Sequence, residues 1–69
     1  MTARQVIEMG LAYAHMSKTA LAEKLGWSPQ LLNKRINTGK FSVDEWMLIA
    51  EALGAEARIG FKFPDGKEV

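Results

Sequence analysis

The sequence predicts a small, mainly α domain of four short helices followed by a C-terminal β-strand or hairpin. Three observations lead there. Ser or Thr stands where a helix should start, at Thr2, Ser17, Ser28 and Ser42, and a glycine follows three of the four segments. Between those marks, apolar residues recur three and four apart, as one buried helix face requires. After Gly54 the period changes from helical to alternating.

Thr2 and Gln5 have the spacing of a capping box, in which each side chain accepts the other residue's backbone N–H. Val6, Ile7, Gly10, Leu11 and Ala14 then mark the inner face of a first helix ending near His15. Ser17 caps a second helix, Lys18 to Leu25, with Leu21, Ala22 and Leu25 inward and Gly26 in the left-handed position beyond it. Ser28-Pro29 restarts the chain, with serine as N-cap and proline at the first helical position, where its missing N–H costs nothing. This third helix runs to about Asn37, Leu32 and Ile36 lie one turn apart inside, and Thr38-Gly39-Lys40 breaks it. Ser42 and Glu45 form another capping box, and Phe41 is placed to staple the start. The fourth helix carries Trp46, Ile49, Ala50 and Leu53 inward and stops at Gly54.

Ala57, Ile59, Phe61 and Phe63 alternate with Arg58, Gly60 and Lys62, the pattern of a half-buried strand. Pro64-Asp65-Gly66 signals a turn, and Lys67 to Val69 leave only a stub of returning strand. Residues 1–69 are thus expected to form a single domain, with 1–54 as helical core and 55–69 as the C-terminal element.

With no cysteine, disulfides and thiolate metal sites are excluded. An apolar fraction of 48% suits a folded domain. No apolar run approaches the ~20 residues of a membrane span. The first residues lead into a helix containing Glu8, unlike a signal peptide, so a cytoplasmic protein without membrane contact is expected. One histidine and no glycine-rich phosphate loop leave no acid, base or nucleophile constellation. A binding protein is expected rather than an enzyme, with no cofactor, metal or small-molecule ligand. His15, without partners at metal-ligand spacing, is expected on the surface.

Net charge is only +1, but its distribution is uneven. From Lys24 to Val43 the charged residues are Lys24, Lys34, Arg35 and Lys40, with no acid among them. Six of the eight acids lie from Asp44 onward. That block reads either as one cationic face or as a solvated surface.

Two helices meeting across a tight turn need a small residue where their axes approach, which Ala22 supplies, and positive φ at the turn, which Gly26 tolerates. Leu32 then packs the later helix back on the earlier one. These are the requirements of a helix-turn-helix unit. Ser17-Lys18-Thr19-Ala20-Leu21-Ala22-Glu23-Lys24-Leu25-Gly26 resembles the first motif helix and turn of the Cro and lambda-repressor type helix-turn-helix family, often called the Xre family. Phe41-Ser42-Val43-Asp44-Glu45-Trp46 and Ile49-Ala50-Glu51-Ala52-Leu53-Gly54 resemble its closing helix. The likeness is close over about 39 of 69 residues, Met16 to Gly54, and looser over the first helix.

The resemblance implies a compact four-helix lambda-repressor-like domain whose third helix enters a DNA major groove. Leu32 and Ile36 face inward on the helical wheel, which leaves Gln30, Asn33, Lys34 and Asn37 on or near the outer side. Gln and Asn can pair with adenine, and Lys can donate to guanine. Two departures from the family stand out. Pro29 replaces a residue that is polar in many relatives, and Leu31 is apolar where relatives face the groove. Leu31 either touches a thymine methyl or tucks against Trp27 or the first helix. Backbone contacts are expected from Ser17, Lys18 and Thr19 on one side and from Ser28, Arg35, Thr38 and Lys40 on the other. Trp46 is expected in the core, while Trp27 is open between packing and a DNA-backbone contact.

Met47 and Leu48 fall on the outer side of the fourth helix, and Ile59, Phe61 and Phe63 share one face of the final segment. These five are the expected homodimer interface, since small relatives with a C-terminal strand commonly dimerise through it. The alternative is a hairpin packed on its own first helix. Overall, the resemblance implies a transcriptional regulator, a repressor in the simplest case, binding double-stranded DNA at a palindromic operator. The rival is a protein-interaction module of the same fold, such as an antitoxin-like partner, without specific DNA binding.

Overall fold

A computed structural model describes all 69 residues, which form four helices: α1 Ala3–Ala14, α2 Lys18–Leu25, α3 Pro29–Thr38 and α4 Val43–Ala52. No helix is long and apolar enough to cross a membrane.

Each helix starts at a hydroxyl. Thr2, Ser17, Ser28 and Ser42 are extended, and each side-chain oxygen accepts the N–H three residues on. Both capping boxes close: Gln5 Oε1 accepts the Thr2 N–H, and Glu45 Oε1 accepts the Ser42 N–H. Helix ends are equally well satisfied. At α2, Trp27 donates to the Ala22 carbonyl at 2.9 Å and Gly26 to that of Glu23 at 3.1 Å, the two bonds of a Schellman cap. Gly26 has φ 73° there, the left-handed region that glycine occupies without strain. Ala55 and Gly54 close α4 the same way. His15 does so for α1 with φ 53°, the chain's single non-glycine residue at positive φ.

The interior is aliphatic. Ile7, Leu11, Leu21, Ala22, Leu32, Ile36 and Ile49 form one buried cluster, and no polar side chain is buried. Five of these side chains, Ile7, Leu21, Leu32, Ile36 and Ile49, are fully buried and contribute about 1.5–3 kcal/mol each. α2 packs on α3 and α4, and α1 packs on α3. The fully buried Ala22 sits where a larger side chain would hold α2 off its neighbours. Val6, expected on the inner face of α1, is exposed. The buried row of α1 runs through Ile7 and Leu11, with Gly10 and Ala14 half-buried beside it.

The expected C-terminal strand does not form. Residues 55–69 contain one isolated antiparallel bridge, Lys62 to Glu68, and no sheet. Phe61 and Val69 exchange backbone hydrogen bonds at 2.8 and 3.0 Å, and Phe63 donates to the Lys67 carbonyl. Gly60 lies against the Val69 carbonyl so closely that a side chain would collide with it. Pairing is confined to these few backbone groups, and no third element covers the face of the segment. Alternation alone describes a strand that has a partner, and this segment lacks one within the chain. Ile59, Phe61 and Phe63 are accordingly exposed rather than half-buried, Phe61 by 73%. The radius of gyration, 13.1 Å, exceeds the about 11 Å expected of a globule this size.

Candidate nucleic-acid interface

α3 is held from two sides, by α2 and α1, through Leu32 and Ile36. That anchoring leaves the opposite side free. Gln30, Asn33, Lys34 and Asn37 follow the i, i+3, i+4, i+7 spacing of a single helical stripe, and all four are exposed. The stripe presents amide donors and acceptors together with one ammonium. Leu31 sits beside it, 38% exposed.

The flanking residues divide. Ser17 and Ser28 are occupied as caps, accepting the Ala20 and Leu31 N–H groups at 3.0 and 3.1 Å. Thr19 is exposed at the start of α2. Lys18 lies 3.9 Å from Glu8, which also pairs with Arg4. Such half-exposed pairs are worth little and yield readily to a stronger anion. Thr38 donates its hydroxyl to the Arg35 carbonyl, and Lys40 is exposed. The first turns of α2 and α3 contain no acid, whereas α4 begins with Asp44 and Glu45. The positive ends of the α2 and α3 dipoles are therefore uncompensated, and that of α4 is neutralised by its own side chains.

Arg35 is drawn away from the rest. Its Nη1 lies 2.8 Å from both Glu45 carboxylate oxygens and donates to the Lys40 carbonyl at 3.1 Å. Its guanidinium carbon is 5.4 Å from the centre of the Trp27 ring. Trp27 stacks on Phe41, which in turn meets Trp46 at 5.1 Å between ring centres. Trp27, open in the sequence between packing and DNA contact, is a packing residue. The backbone N–H of Ser42, then the Arg35 side chain, lower the pKa of Glu45 below its ordinary value. Sequence reasoning saw Glu45 only as half of a capping box. Its second partner lies ten positions back across a loop whose path no spacing rule supplies.

A separate apolar surface lies at the other end of the chain. Exposed Met47 comes together with Ile59 and Phe61 around one shallow depression, which Leu48 and Phe63 do not line, although both are exposed. Next to it, Ile59 borders a groove of about 590 Å³ whose walls include Val6, Gly10, Val43, Trp46 and Leu53. No group of three or more His, Asp or Glu side chains is placed to hold a metal ion.

The chain matches no known protein-family model, no curated protein and no solved structure.

Proposed function

We infer that this chain is a sequence-specific double-stranded-DNA-binding regulator of the Cro and lambda-repressor type, with α2 and α3 as its helix-turn-helix. The observation that carries the reading is the exposed Gln30, Asn33, Lys34 and Asn37 stripe on a helix whose other side is anchored by buried Leu32 and Ile36. Residues of these types read base edges in the major groove, and the stretch from Lys24 to Val43 offers a phosphate backbone no opposing charge. The uncompensated starts of α2 and α3 favour phosphates in the same way.

The chain acts as a homodimer. Met47, Leu48, Ile59, Phe61 and Phe63 are exposed apolar side chains on a small protein, and a second copy is the cover that explains them all. Two α3 helices roughly 34 Å apart read adjacent major-groove faces of a palindrome. Occupying a promoter there represses it by excluding polymerase. The protein is a binder and not an enzyme.

The test is selection from a random duplex pool, followed by affinity measured against salt. A palindrome should emerge. With Lys18, Lys34 and Lys40 engaged on both copies, affinity for it should fall about a thousandfold between roughly 50 and 200 mM salt. An unenriched pool, or binding indifferent to salt, would overturn the reading. The exposed apolar arm favours a second reading, an interaction module of the same fold that binds protein alone. An unenriched pool is the result that reading expects.

A further inference from the structure

Arg35 stands beside Lys34 on α3, where an arginine would ordinarily be free to meet a phosphate. Its surroundings say otherwise. The guanidinium is gripped by Glu45 and by the Lys40 carbonyl, and it lies over the Trp27 ring. Trp27 belongs to the turn before α3, Lys40 to the connection after it, and Glu45 to the first turn of α4. The same carboxylate accepts the Ser42 N–H at 2.8 Å, so the α4 cap fixes its position. Arg35 reaches the Glu45 carboxylate and the Lys40 carbonyl through Nη1 while its guanidinium lies over the Trp27 ring, a combination that suits a planar, stackable cation better than a lysine ammonium.

The geometry points to Arg35 as a positioning residue that holds α3 at a set attitude to α4 and to the α2–α3 turn, governing DNA affinity without touching DNA. The inference rests on the reading that the outer side of α3 binds DNA.

Glu45→Gln gives the sharpest test, because glutamine still accepts the Ser42 N–H and keeps the α4 cap while removing the charge. Simple Coulomb reasoning has this variant bind DNA more tightly: an acid near the basic face is gone, and Arg35 is released to a phosphate. A positioning role reverses the sign. Affinity for the selected operator should fall about tenfold, the scale of one lost base contact. Arg35→Gln and Arg35→Lys should weaken binding similarly, with the salt slope of Arg35→Gln equal to that of the wild type. A phosphate-contacting arginine would instead flatten that slope by about 0.9 per copy and be largely replaced by lysine. Tighter binding by Glu45→Gln, a flattened slope in Arg35→Gln, or full affinity in Arg35→Lys would overturn the assignment.

A readout without DNA separates this inference from the reading beneath it. The Trp27 indole resonance should shift in Arg35→Lys and in Glu45→Gln, and stay in place in Lys34→Gln. Unmoved Trp27 signals in the first two variants refute the positioning role. Absence of any duplex binding by the wild-type chain refutes the DNA reading instead.

Discussion

The helical body and the C-terminal arm meet the same problem with different means. Both carry large apolar side chains at regular spacing. In residues 3–53 each helix is closed at both ends, and its apolar row lies against another helix, so Leu21 and Leu32 are fully buried. In residues 55–69 the spacing is just as regular, but the chain offers one turn and one bridge, and Phe61 stays in water. Periodicity specifies which side of an element is apolar. Only a second surface turns that into burial, and the body contains its second surface while the arm does not.

Leu32→Ala should produce the largest difference between the two regions. It should cost the body about 2–5 kcal/mol in thermal or urea unfolding, since it opens a cavity among Leu21, Ile36 and their neighbours. Phe61→Ser, a larger loss of apolar surface, should change the melting of a dilute sample by under about 0.5 kcal/mol while abolishing any concentration-dependent association seen by sedimentation. Equal destabilisation by the two would mean that the arm is part of the body's core. Ser42→Ala should follow at about 1 kcal/mol, because α4 loses the acceptor for its Glu45 N–H.

His15→Gly should act in the opposite direction. It relieves a left-handed residue at the end of α1 and should raise stability by up to about 1 kcal/mol, less what glycine adds to the unfolded chain's freedom. The smallest effect comes from pH. Glu45 holds its proton less tightly folded than unfolded. Its contribution is therefore fully present above the ordinary carboxylate pKa and disappears as pH falls through the lower folded value. Glu45→Gln should melt below the wild type at neutral pH, and the gap should close on acidification. A gap that widens in acid would contradict the pairing with Ser42 and Arg35.

Much of the body could be read before any coordinates. The four N-caps, the span Lys18–Leu25 and the stop at Gly26 are set by local chemistry within a few residues of each cap, and they stand where the sequence placed them. Asn37 proved one residue short of the end of α3. Val6 shows where local pattern fails, because rows through 6 and 10 and through 7 and 11 are both helical, and only the packed neighbour selects one. The arm failed for want of a partner rather than of a pattern. At the candidate interface the outer stripe of α3 was legible as the complement of Leu32 and Ile36. Arg35 was not, because charge counting makes every arginine available and its partner depends on how the 39–42 connection folds back.

The interior of the body contains aliphatic side chains and no polar one. Nothing there distinguishes an isoleucine from a leucine or a methionine beyond shape, and such exchanges typically cost under about 1.5 kcal/mol once neighbours adjust. Such an exchange inside the body therefore costs about as much as the loss of one N-cap hydroxyl, and both are small beside the cavity left by Leu32→Ala.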